Sequence, residues 1–101
     1  MGLAYVILPA RYGASRFPGK PLAILAGKPL ICHVAERALR ARGVDGVAVA
    51  TDDDRIAAAA RSCGARAVMT GPAATGTDRV AEAARRLSPR PEVVVNLQGD
   101  E

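Results

Sequence analysis

Three cations, Arg11, Arg16 and Lys20, fall within ten residues of one another and share their segment with Gly13, Ser15 and Gly19. Glycine lets a backbone approach a ligand closely. Guanidinium and ammonium groups make charge-assisted hydrogen bonds worth about 1.5–3 kcal/mol each. The segment A-R-Y-G-A-S-R-F-P-G-K-P-L, residues 10–22, therefore has the composition of a phosphate cradle. It is not a Walker A loop. The interval from Gly13 to Gly19-Lys20 is one residue too long, and Pro21 stands where a Ser or Thr must ligate magnesium. No G-x-G-x-x-G dinucleotide fingerprint is present either.

Two further groups carry chemistry. Asp100 is a carboxylate that follows an apolar run, and carboxylates of this kind ligate magnesium. Alone it reads first as a turn or cap aspartate. A metal site needs a second donor, from Glu101, Asp52 or a residue beyond this chain. The stretch Thr75-Gly76-Thr77-Asp78-Arg79 combines a glycine with a helix start, whose free N–H groups can meet a polar ligand. As a pattern it is also simply a capped helix.

These residues need elements to hold them. Ala4–Pro9 is a short, continuous apolar run, which predicts a strand buried on both faces. A polar loop spans 10–21. Pro29 then opens a helix with apolar residues at Leu30, Ile31, Val34, Ala35, Ala38 and Leu39, and Gly43 fits its stop. Val47–Ala50 reads as a second strand ending in Thr51-Asp52. Asp53 or Asp54 caps a helix that stops at Gly64. Ala67–Met69 is a third strand. Thr77 is the expected cap of a third helix, Asp78 to about Leu87, and Ser88-Pro89-Arg90-Pro91 breaks it. Val93–Leu97 is a fourth strand.

Four strands alternating with three helices predict an α/β fold, a mostly parallel sheet with right-handed crossovers. In the order 3-2-1-4 the first and fourth strands are neighbours. The basic loop, Asp52-Asp53 and Gln98-Gly99-Asp100-Glu101 then meet at the carboxyl ends, where such sheets bind ligands. The fourth strand is followed by only a few residues, so the sequence is expected to be the nucleotide-binding part, 1–101, of a larger α/β domain.

The 101 residues are 50% hydrophobic and 24% charged, a balance that favours a packed fold over disorder. No apolar stretch approaches the roughly 20 residues of a membrane span. The first apolar run lacks the basic flank of a secretory signal, and a cytoplasmic, membrane-free protein is expected. The net charge of +4 is uneven: residues 1–43 sum to +6 and residues 44–101 to −2. A local cationic cluster suits one small polyanion better than a long duplex, and aromatics are only 3% of the chain, so no nucleic acid is expected. Cys32 and Cys63 have no metal-like spacing and read as two isolated, reduced thiols. His33 reads as a helix residue.

The segments I-L-P-A-R-Y at 7–12, S-R-F-P-G-K-P-L at 15–22 and G-K-P-L-I at 27–31 stand in the same order as V-A-T-D at 49–52, G-T-D-R at 76–79 and V-N-L-Q-G-D-E at 95–101. In that order the chain resembles the 3-deoxy-manno-octulosonate (Kdo) cytidylyltransferases, across its whole length and somewhat less than half of theirs. The resemblance implies a Rossmann-like, glycosyltransferase-A-like sheet and a nucleotidyltransferase joining CTP to Kdo for lipopolysaccharide synthesis. It implies Mg²⁺ as cofactor, a homodimer at full length, and no activity for this piece alone. It gives Arg11, Arg16 and Lys20 the triphosphate as catalytic residues. It places Ala10, Arg11, Ser15, Lys20, Thr75, Gly76 and Asp100 on the nucleotide, Asp100 on the metal, and Arg79 and Gln98 on the sugar acid. Ala73-Ala74 and Asp78 depart from the family's usual His-Gln and Glu. Other acidic sugars, such as a sialic acid or an amino-Kdo, and a nucleotide-binding module without turnover are the competing expectations. Sialic-acid enzymes carry R-G-G-S-K in the first loop, which this chain lacks.

Overall fold

A computed structural model describes residues 3–13, 19–72 and 75–97. The apolar runs form a four-stranded parallel sheet from β1 (Ala4–Pro9), β4 (Gly46–Thr51), β5 (Arg66–Met69) and β6 (Val93–Asn96), in the order β5-β4-β1-β6. That is the expected 3-2-1-4 arrangement. Register follows from the alternation of faces, with Val6 beside Val47 and Val95, and Ile7 beside Ala48 and Asn96.

Both faces of the central strands are covered. On one face Val6, Leu8, Val47 and Val49 pack against Ile31, Cys32 and Ala35 of α1 (Leu30–Leu39) and Ile56 and Ala60 of α2 (Asp54–Ser62). On the other, Ile7, Ala48, Ala50 and Val68 meet Val80, Ala83 and Leu87, which lie in or just after α3 (Gly76–Arg86). Helices α1 and α2 lead the chain toward one edge. Helix α3 leads it back past them to β6, so a right-handed crossover puts α3 on the opposite face. Ile56 is fully buried, a placement worth about 1.5–3 kcal/mol.

Several sequence expectations are corrected. The expected loop at 10–21 ends in a 3-10 turn, Lys20–Leu22, with Pro21 buried. A small hairpin that the sequence reading missed, β2 (Ile24–Leu25) with β3 (Lys28–Pro29), precedes α1. Its turn uses Ala26 at φ 51° and Gly27 at φ 85°, the positive-φ pair that a tight hairpin needs. Helix α1 ends at Leu39, with Arg40 as its last cap, well before Gly43. The cap of α2 is Asp53, which accepts from the Arg55 and Ile56 N–H groups. Helix α3 is capped by Thr75, not Thr77: the Thr75 hydroxyl accepts from the Asp78 N–H at 3.0 Å. Gly76 and Thr77 thus belong to the helix. The fourth strand is an edge, and Val93 and Val95 are about half exposed.

Candidate functional site

The carboxyl ends of all four sheet strands open on one side, and backbone hydrogen bonds continue just past them. Ala10 donates to Ala50, Thr70 to Thr51, and Leu97 to Ile7. These bonds fix where each following loop begins. Ala10 is buried, while Arg11 and Tyr12 emerge exposed immediately after it.

The basic loop is pinned at its two ends. The Gly19 N–H donates to the Tyr12 carbonyl at 2.6 Å, which draws together the backbone on either side, where Arg11 and Lys20 each lie one residue outside that bond. Gly19 holds φ 77°, and a Cβ there would lie 2.9 Å from the Tyr12 ring, so the closure needs glycine. Lys20 then enters the 3-10 turn packed on α1 and α2. Ser15 and Arg16 lie outside the described residues.

A side-chain chain braces Tyr12. The Arg55 guanidinium stacks 3.9 Å from the ring centroid. Arg55 is held in turn by Asp53, through Nε at 3.2 Å and an Nη nitrogen at 2.7 Å. Asp53 is anchored by capping α2. The Arg55 hydrogen bond, helped by the two helix N–H groups, holds the Asp53 carboxyl below its ordinary value, against the opposing effect of burial. The same pairing raises Arg55. Sequence reading found Asp53 as a cap but missed Arg55. Its one legible signal was a cation two residues past that cap.

Arg79 is buried, only 4% exposed, between the ends of β4 and β5. One terminal nitrogen donates to the Thr70 hydroxyl at 2.5 Å, and the other lies 3.7 Å from the Asp52 carboxylate. Burying a cation costs several kcal/mol unless it is paired, so Thr70 and Asp52 account for its position. Asp52 remains half exposed and faces Arg79. Nothing in the spacing of the sequence announced a buried arginine.

The start of α3 completes the cluster. Thr75 and Gly76 offer a capped helix N-terminus, and the Asn96 amide donates to the Thr77 hydroxyl at 3.5 Å, tying α3 to the end of β6. The Gly71 N–H donates to the Glu82 carboxylate at 3.1 Å, which fastens the preceding loop to the same helix. Gln98 and Asp100 lie outside the described residues. Of the sequence-predicted set, Ala10, Arg11, Lys20, Thr75, Gly76 and Arg79 therefore share one end of the sheet. Among the described residues no three His, Cys, Asp or Glu side chains gather as a metal site.

A concavity of about 640 Å³ runs along α1. Lys28, His33, Glu36, Arg37 and Arg40 line it, with Leu97 at one side. Lys28 and Glu36 form a 2.6 Å ion pair that holds the Glu36 carboxyl below its ordinary value. A His33 ring nitrogen lies 2.5 Å from the Leu25 carbonyl, which joins the hairpin to α1.

A doubly covered parallel sheet with a pinned cationic loop, a buried arginine and a helix N-terminus at its carboxyl ends has the layout of a nucleotide-binding α/β protein. Residues 5–101 match the cytidylyltransferase family profile, and the chain belongs to that family. It is 83% identical over 96 residues to a 3-deoxy-manno-octulosonate cytidylyltransferase of Anaeromyxobacter dehalogenans, covering 95% of this chain and 40% of that protein. Over 59 residues it is 63% identical to an 8-amino-3,8-dideoxy-manno-octulosonate cytidylyltransferase of Shewanella frigidimarina, covering 58% of this chain and 24% of that protein. A solved CMP:2-keto-3-deoxy-manno-octonic acid synthetase complexed with CTP superposes with a TM-score of 0.89 at 48% identity, over 98% of this chain and 41% of that one. The chain thus spans about two fifths of the length of such relatives. Among the described residues no helix is long and apolar enough to cross a membrane.

Proposed function

We propose that this chain is the nucleotide-binding part of an enzyme that condenses CTP with Kdo, giving CMP-Kdo and pyrophosphate for lipopolysaccharide synthesis in the cytoplasm. The observation that supports the reading is the pinned loop: the Tyr12–Gly19 hydrogen bond closes the backbone of the segment that carries Arg11 and Lys20, just past the carboxyl end of β1. The 83% identity to a protein of that name supports the choice of sugar.

In the reaction the anomeric hydroxyl of Kdo attacks the α-phosphorus of CTP. The bond to the β-phosphate oxygen breaks, pyrophosphate leaves, and the hydroxyl proton passes to solvent. Little covalent chemistry falls to the protein, so orientation and charge neutralisation dominate. Arg11, Arg16 and Lys20 hold the phosphates, with the Arg55–Tyr12 stack bracing the loop. Thr75 and Gly76 present backbone to the base. Arg79 and Gln98 face the sugar acid. With one terminal nitrogen held by Thr70, Arg79 would meet a substrate carboxylate through the other, in place of the 3.7 Å Asp52 contact. Asp100, with Asp52 or a residue further along the protein, is a hard oxygen donor of the kind magnesium takes, and Asp100 would hold that ion. The ion supplies charge neutralisation at the leaving group. The full-length protein is a homodimer in this reading, and neither nucleic acid nor membrane is its partner.

The 63% identity to an 8-amino-3,8-dideoxy enzyme keeps an amino-Kdo as the second substrate reading. Pyrophosphate release from CTP, measured on the protein at the length of its relatives with Kdo, its 8-amino analogue and N-acetylneuraminate, separates these. The proposal expects the highest kcat/KM with Kdo. A preference for either other sugar overturns the substrate, and tight CTP binding without turnover of any of them overturns the enzyme.

A further inference from the structure

Cys32 and Cys63 are far apart in sequence, yet both thiols donate to one backbone carbonyl. Cys32, in the first turn of α1, donates to the Ala59 carbonyl at 3.3 Å. Cys63, the residue that ends α2, donates to the same oxygen at 3.4 Å and to the Ala60 carbonyl at 3.3 Å. One oxygen therefore gathers both sulfurs at the seam where α1 packs on α2. The expectation of two isolated thiols is corrected on this point, although both are free.

Their surroundings differ in a useful way. Cys32 is 2% exposed, among Ile31, Ala35 and the β1 side chains. Cys63 is only partly covered and can meet a solute. Burial first, then the neighbouring Cys32 thiol and Glu36, push the Cys63 thiol up to about 12. At ordinary pH Cys63 is therefore mostly a neutral thiol.

We infer that Cys32 and Cys63 form a dithiol that closes to an intramolecular disulfide by exchange with a small disulfide such as oxidised glutathione, with Cys63 as the entry thiol and Cys32 as the resolving one. Cys63 gives its proton to solvent, which its raised value limits to a small thiolate fraction that grows as pH rises, and that sulfur attacks one sulfur of glutathione disulfide. The glutathione S–S bond breaks, and one glutathione leaves as thiolate. Cys32 then loses its proton and attacks the Cys63 sulfur of the mixed disulfide, and the second glutathione leaves. Two protein thiols are oxidised to one disulfide, while one glutathione disulfide is reduced to two thiols. The product staples α1 to α2. It does not depend on the proposed reaction.

The test is to incubate the native protein with oxidised glutathione, quench with acid, and map it after tryptic digestion. The expected product has lost two hydrogens and links peptide 62–66 to peptide 17–37. Cys32→Ser should stop at a glutathione adduct on Cys63, and Cys63→Ser should give no adduct while folded. A stable glutathione adduct on Cys63 of the unsubstituted protein, a link between two copies, or cross-linking only after unfolding in urea would each overturn the inference. Circular dichroism of both serine variants confirms that they are folded before their chemistry is compared.

Discussion

Asp53 holds two structures at once, and replacing it separates them. Its carboxylate caps α2 through the Arg55 and Ile56 N–H groups at 2.8 and 3.3 Å, and it grips the Arg55 side chain at 2.7 Å. Loss of such a cap to alanine costs about 1 kcal/mol, within a range of about 0.5–2. In a domain of this size that lowers Tm by about 4–8 °C. The grip on Arg55 is solvent-exposed and adds only a small, salt-sensitive part. Asp53→Asn keeps an oxygen to cap the helix but loses the charge, so at neutral pH it should melt between the unsubstituted protein and Asp53→Ala. The folded chain holds the Asp53 carboxyl below the ordinary value of 3.8, mainly through the Arg55 hydrogen bond. The charged form is therefore bound more tightly in the native state. The stabilisation it gives is present above the unfolded-state value and is lost as pH falls through the lower, folded one. Thermal melts followed by circular dichroism from neutral to acid pH should show the gap to Asp53→Asn closing on acidification. The gap between Asp53→Asn and Asp53→Ala should persist. Equal Tm for all three proteins at neutral pH, or a charge-dependent gap that widens in acid, would refute the reasoning.

Three other substitutions test the sheet and the site. Gly46→Ala places a Cβ 2.5 Å from the Tyr5 ring and should destabilise by about 1–3 kcal/mol in urea titrations, with the penalty shrinking in a Tyr5→Ala background. Lys20→Ala should raise KM for CTP by about 10- to 150-fold, the worth of one charge-assisted hydrogen bond, with little change in Tm; unchanged kinetics would remove Lys20 from the triphosphate. Arg79→Leu leaves the buried Thr70 hydroxyl without its partner and should cost about 1–3 kcal/mol by urea titration, together with a loss of turnover that Arg79→Lys recovers only in part.

The sheet was legible because its strands are apolar on both faces. Runs such as V-A-V-A admit little except a covered parallel strand, and the crossover rule then fixes which face each helix covers, while the strand order itself is shown by the pairing. The α3 cap was harder. Thr75 and Thr77 both precede acidic residues, and only the backbone shows that Gly76 has already entered the helix. The hairpin at 24–29 was hidden because Ala26 carries no turn signal, and its positive φ is imposed by the pairing of Ile24 with Pro29. In the site, exposed cations in a glycine-rich loop announced themselves by type and spacing. Arg79 and the Cys32–Cys63 pair did not, since burial and convergence on one carbonyl come from packing between elements distant in sequence.

The most direct measurement is the backbone amide spectrum of the isotopically labelled chain titrated with CTP. The account predicts shifts concentrated at Arg11, Tyr12, Gly19, Lys20, Thr75 and Gly76, around the carboxyl ends of the sheet. Shifts centred instead on His33, Arg37 and Arg40 along the α1 concavity, with the basic loop unmoved, would contradict it.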